Sequence, residues 1–254
     1  MATKEVKEKI KKDVINHPAG RIEITYEPGK TEMTPQDKQL VDTYIKLHDF
    51  DNEMSQDAQR LFNQFVPVNK KIDGLRIELG QVKEIFEECR KLVDALSEPT
   101  YDPAETNLDK LAEAQQETSN KLLPYSDILI EVYETIKPLS EEIDAYYVRD
   151  EDEANVLYDE FFAIQMAHSK NWERNSIDIV AFDREADNFR GSRTIYKDRR
   201  ETLLDHCRQT LDNYKTLNLE TEVLYKMWEE FLKRCNLIRA IAALQEQATG
   251  FTPN

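Results

Sequence analysis

Residues 40–96 read LVDTYIKLHDFDNEMSQDAQRLFNQFVPVNKKIDGLRIELGQVKEIFEECRKLVDAL. Alternating steps of four and three residues visit Leu40, Tyr44, Leu47, Asp51, Met54, Ala58, Leu61, Phe65, Val68, Ile72, Leu75, Leu79, Val82, Phe86, Cys89, Val93 and Leu96, and only Asp51 among them is polar. Positions three and four apart share one face of an α-helix, so this row is a seam packed lengthwise against other helices. Its phase never slips, which predicts one continuous helix, roughly 90 Å long at 1.5 Å per residue.

The flanks of the stretch carry stop and start signals. Thr34-Pro35-Gln36-Asp37 supplies a hydroxyl cap, a proline where no amide is needed and an early negative charge favoured by the helix dipole. Pro99 and Pro103 end the helix within residues 97–103. A second register then runs Leu108, Leu111, Gln115, Thr118, Leu122, Tyr125, Leu129, Val132, Ile136, Leu139, Ile143 and Tyr146. It shifts to Leu157, Phe161, Ile164 and His168, as expected of a stutter or short break near residues 150–154.

After a turn near residues 171–176, a third and leakier register passes Ile179, Phe182, Ala186, Phe189, Arg193, Tyr196, Arg200, Leu203 and Cys207. It continues through Thr210, Tyr214, Leu217, Thr221, Leu224, Trp228, Phe231, Cys235, Ile238 and Ala242. Gly191 and Asn218 mark expected local breaks.

Aromatic seam residues such as Phe65, Phe86, Phe182 and Trp228 need more room than a two-stranded coiled coil provides, so three or more helices are expected. Short connections make successive helices antiparallel neighbours. Folding back about residue 101 sets Pro67 and Pro138 at nearly one height, where paired helices would bend together unless both prolines simply face solvent. Folding back about residue 174 sets an acidic block, residues 141–160, opposite Arg190, Arg193, Lys197, Arg199 and Arg200. Arg193 and Arg200 are expected at seam positions because they reach those acids, although ordinary solvated faces would give the same composition.

The N-terminal stretch is of another kind. Lys4, Lys7, Lys9, Lys11 and Lys12 surround a thin stripe of Val6, Ile10 and Val14, compatible with a short amphipathic helix over residues 3–16. Ile22, Ile24 and Tyr26 then alternate with polar residues as in a strand, closed by Pro28-Gly29, with no evident partner strand in the chain. That strand is either an arm that adds to a partner's sheet edge or an extended linker lying on its own bundle.

Composition narrows the function. The chain has 254 residues, 40% of them hydrophobic and 33% charged, with six glycines and nine prolines, the profile of long helices with a real core. A formal charge of -16 opposes attraction to nucleic acid or anionic lipid. No apolar run is long enough to span a membrane, and no apolar signal core follows the N-terminal lysines, so a cytoplasmic protein is expected. Cys89, Cys207 and Cys235 all fall at seam positions and read as buried reduced thiols.

Chemistry is sparse. His17, His48, His168 and His206 all lack the glutamate three residues earlier that helical di-iron sites use. Zinc, paired-cysteine and phosphate-loop motifs are missing. Residues 49–60 and 150–161 imitate calcium loops, but Met54 and Asn155 stand where glycine is needed, and Arg60 and Phe161 where the bidentate acid belongs. No catalytic, cofactor or metal residue is assigned.

The fold expected is all-α: an elongated antiparallel coiled-coil-like bundle of about three long, kinked helices over residues 34–246. Residues 1–33 form a short extension able to hold one strand, and residues 247–254 a tail. The function expected is a non-enzymatic scaffold that oligomerises or joins protein partners, with Ile22, Ile24, Tyr26, Arg193 and Arg200 as interaction residues. No cofactor, nucleic acid or small-molecule substrate is expected. The alternative is a membrane-surface module: three long helices behind a lysine-rich amphipathic segment resemble the BAR-domain plan, from which the net charge of -16 departs. A helical pore-forming toxin would need a hydrophobic tongue, and no such run is present.

Overall fold

Helix α1 runs Pro35–Leu96, α2 runs Leu108–Lys170 and α3 runs Ile179–Thr249 in the computed structural model, which describes residues 10–17, 20–96 and 108–249. The first lysines up to Lys9, the connection at residues 97–107 and the end of the tail beyond Thr249 lie outside the described residues. Every α1 seam position from Leu40 to Val93 is buried, Asp51 included. Asp37 makes the helix start more specific than its charge alone. Thr34 Oγ1 accepts the Asp37 amide at 3.1 Å while Asp37 Oδ2 accepts the Thr34 amide at 3.1 Å, a reciprocal capping box. Asp178 caps α3 through its side chain, which accepts the Ala181 amide at 3.0 Å.

Both later helices are continuous, which decides one open alternative and corrects one expectation. Helix α2 passes unbroken through residues 150–154, so the register shift there is a stutter: burial moves from Tyr146 past the half-buried Asp150 to Ala154 and Phe161. Helix α3 likewise runs without a break through Gly191 and Asn218. A helical glycine costs only about 1 kcal/mol relative to alanine. Packing on either side of Gly191, at Phe189 and Arg200, outweighs that local preference. Leu204, not Leu203, is the fully buried leucine next to the arginines, and Tyr196 is 39% exposed.

The N-terminal extension is also corrected. Residues Lys12–His17 form strand β1, not the end of a helix, and pair antiparallel with β2, Gly20–Thr25, in the register Lys12↔Thr25 to His17↔Gly20. Val14 and Ile15 are β-branched and suit a strand. The edge of β2 also needs a hydrogen-bonding partner, which β1 supplies from within the chain. On its other side, the Asp178 amide donates to the Thr25 carbonyl at 2.7 Å and the Glu27 amide to Ser176 at 3.0 Å, around a bridge between Tyr26 and Ile177.

The chain divides into two units, each holding part of all three helices. Unit 1 comprises Met1–Gln64 and Leu139–Cys207. Its core gathers Ile22, Ile24 and Tyr26 of the hairpin region against Leu40, Tyr44 and Leu47 of α1, Phe161 of α2, and Phe182 and Phe189 of α3. Within it α1 and α2 are antiparallel: the Tyr146 hydroxyl donates to the Met54 carbonyl at 3.1 Å, and Arg60 pairs with Glu142 at 2.8 Å.

Unit 2 comprises Phe65–Pro138 and Arg208–Asn254. Its main core joins Ile72, Leu75 and Leu79 of α1, Leu122, Tyr125 and Leu129 of α2, and Leu217 and Leu224 of α3. A second cluster holds Phe86, Cys89 and Val93 against Phe231, Cys235 and Ile238. Each such side chain, fully buried, contributes about 1.5–3 kcal/mol relative to exposure. Tyr225 and Tyr214 of α3 donate to the Leu122 and Leu129 carbonyls of α2, at 2.7 and 3.4 Å. Pro67 lies inside α1 and Pro138 inside α2, and the division between units falls near both.

Candidate functional site

The polar position in the α1 seam, Asp51, organises a buried group of charges, all within unit 1. Arg200 of α3 places Nη1 2.7 Å from Asp51 Oδ1 and Nη2 3.2 Å from Asp150 Oδ1 of α2. Arg193, one helical repeat earlier, sets Nε 3.4 Å from Asp51 Oδ1 and lies over the Tyr158 ring at 4.1 Å. Asp51 and Arg200 side chains are each only 3% exposed. Burial by itself pushes the Arg200 pKa down, but the Asp51 hydrogen bond and charge, with Asp150 behind them, raise it instead. The guanidinium therefore stays charged.

Two arginines against two aspartates make a neutral set. Clefts adjoin the set. One of about 270 Å³ is lined by Arg21, Tyr44, His48, Asp51, Asn188 and Tyr196, and one of about 350 Å³ by Tyr146, Asp150, Arg193 and Arg200. His48 sits in the first with its ring 3.8 Å from that of Phe189 and 4.7 Å from that of Tyr44. Neither ring nitrogen has a hydrogen-bond partner, and burial, helped by His17, lowers its pKa to about 4. It is a neutral packing residue at ordinary pH.

A second buried group joins the beginning of α1 to the α2–α3 connection. Asp37, fully buried, accepts the Ser176 amide at 3.0 Å and hydrogen-bonds the Ser176 hydroxyl through the same oxygen, while His168 Nδ1 lies 3.4 Å from its other oxygen. Burial would raise the Asp37 pKa, yet the Ser176 and Thr34 hydrogen bonds hold it below the ordinary value. Serine, aspartate and histidine meet here, but the serine donates to the carboxylate and the carboxylate lies between it and the imidazole. A nucleophile needs the imidazole next to the hydroxyl, so the arrangement is a clamp.

The residues singled out from sequence divide by location. Ile22, Ile24 and Tyr26 are 1–3% exposed and face the core of unit 1, with β2 already paired to β1. Arg200 meets the acidic block at Asp150, whereas Arg193 meets Asp51 of α1. Asp37 and Ser176 carried no sequence signal as a pair, being far apart in the chain. The stretches resembling calcium loops lie inside α1 and α2. Among the described residues, no three His, Cys, Asp or Glu side chains converge as a metal-holding group. Burial raises the Cys89 and Cys207 thiols to about 11 and pushes Cys235 in the same direction.

With fold and charge cluster in view, the chain is of the all-α class, three long helices contributing to the packing of each unit, with a β-hairpin added in unit 1. No family model and no curated protein matches its sequence. Among solved structures it is similar to a computationally designed three helix bundle, at 10% identity and a TM-score of 0.38, over 84% of this chain and 98% of that one. No described helix is long and apolar enough to cross a membrane.

Proposed function

We propose that the chain is a non-enzymatic structural protein of the cytoplasm, a helical scaffold whose outer faces mediate oligomerisation or assembly with protein partners. The observation that carries this reading is the placement of large apolar side chains outside the buried seams. In unit 1, Val148, Val156 and Met166 of α2 and Ile195 of α3 are all at least 60% exposed; in unit 2, Leu219, Leu237 and Leu244 of α3 are. Scattered apolar side chains are ordinary on any protein, but Leu219, Leu237 and Leu244 recur on one face of α3, and a repeated apolar face is a packing face.

The interior supports the same reading. The buried ionisable groups described above are either held by ion pairs or hydrogen bonds, as Asp51, Asp150, Arg193, Arg200 and Asp37 are, or held neutral, as His48 is. Neither case offers a poised acid, base or nucleophile. Such a scaffold uses no cofactor and no small-molecule substrate, and its acidity keeps it off nucleic acid.

Sedimentation velocity and light scattering over a concentration series test the reading. Species heavier than the 29.8 kDa chain are expected. A chain that stays monomeric at every concentration, and fails to cross-link to other proteins in a cell extract, would remove the reading.

A further inference from the structure

Beside its buried seam, the part of α3 in unit 2 carries a second row: Val223, Met227, Glu230, Arg234, Leu237 and Ile241. Val223 is 55% exposed, Leu237 62% and Ile241 42%. Read from either end, the row is two apolar residues, two charges, two apolar residues, and the two charges are opposite in sign. A row of this kind is complementary to itself when reversed.

We infer that this face of α3 binds the same face of a second copy of the chain, antiparallel, about a two-fold axis beside Leu232. Around that axis Val223 meets Ile241, Met227 meets Leu237 and Glu230 meets Arg234, each pair formed twice. An isologous interface requires such self-complementarity, because one patch must recognise itself. The inference rests on the assembly reading and names the face it uses.

Space and charge on the surface agree with it. A cleft of about 430 Å³ opens beside Val223 and Met227, with Leu79 and Gly80 of α1 along its other wall. A Cβ at Gly80 would meet nothing within 4 Å, which leaves room for an entering Leu237 or Ile241. Arg234 now pairs with Asp94 at 3.1 Å, with both side chains more than half exposed, a contact weak enough to exchange for another acid. Leu219 and Leu244, 62% and 65% exposed, lengthen the row at its two ends. Five exposed apolar side chains per copy, on the order of 100 Å² each, with the half-buried Met227 beside them, cover about 1,000 Å², the low end for an interface between copies. The dimer is therefore expected to form and dissociate with concentration.

The test uses full-length chains in sedimentation velocity: wild type, Glu230→Arg, Arg234→Glu, and an equimolar mixture of the two variants. Each variant alone opposes like charges twice across the axis, so its dimer should weaken at least tenfold. In the mixture, one copy presents two arginines and the other two glutamates, so a heterodimer should recover near wild-type affinity. An intrahelical pair between residues 230 and 234 is absent in both variants, so recovery on mixing can come only from contact between copies. Circular dichroism equal to wild type shows each variant folded; a variant that does not fold is replaced by Glu230→Lys or Arg234→Asp, which set the same charges. If all samples remain equally oligomeric, this face is wrong while the assembly reading stands. A monomeric wild type removes the self-interface, and removes the assembly reading as well only if the chain also fails to cross-link to other proteins.

Discussion

Replacing Asp51 by leucine should be among the most damaging single changes to unit 1. The substitution keeps the seam apolar and roughly fills the same space, but it leaves Arg200 and Arg193 beside one remaining acid, Asp150. A charge whose buried partner is removed costs about 3–5 kcal/mol. Arg200 is 3% exposed, so water cannot replace the lost carboxylate, but Asp150 is 18% exposed and still in contact. These two facts place the expected loss near the lower end, about 3 kcal/mol. Arg200→Met should cost a similar amount by leaving Asp51 unpaired except for Arg193 at 3.4 Å. The double variant keeps one arginine and one aspartate, and should lie within about 1 kcal/mol of wild type or above it. Urea unfolding followed by the helical circular dichroism signal gives the four free energies of the cycle. Effects that simply add, or single losses below about 1 kcal/mol, would refute the claim that the four groups act as one neutral set.

Two further outcomes are expected. His48 has its pKa lowered to about 4 from 6.5, so the unfolded chain binds more protons than the folded one between those values. Its contribution, on the order of 3 kcal/mol, is complete above pH 6.5, falls as pH drops through that window and is lost near pH 4. His48→Phe should flatten the pH dependence of urea stability in that range, and an unchanged slope would assign it elsewhere. Asp37→Ala removes the α1 capping box and strands the buried Ser176 amide and hydroxyl, for a loss of about 2–4 kcal/mol. Hydrogen exchange should then accelerate at Thr34 and Ser176 together; protection unchanged at Ser176 would mean the clamp is not holding the α2–α3 connection.

The three seams were legible because helical packing is periodic and local. A residue buried by a neighbouring helix is followed three or four residues later by another, whatever the neighbour is. That reasoning placed Leu40 to Val93 and Leu217 to Ala242 in the core, and it marked Asp51, Arg193 and Arg200 as polar residues in apolar positions. It over-read Gly191 and Asn218, because a local preference of about 1 kcal/mol does not break a helix packed on both sides.

What the sequence by itself determined is therefore the existence of each long helix, most of its buried face, and for α1 its length as well. What only tertiary structure decided is which distant groups meet. Strand β1 gained its identity from the open edge of β2, and its apolar alternation alone was too short to separate strand from helix. Asp51 with Arg200, and Asp37 with Ser176, are partners across 149 and 139 residues of chain. Nothing periodic links such positions, and a buried charge or cap takes whichever partner the folded helices bring within 3 Å or so.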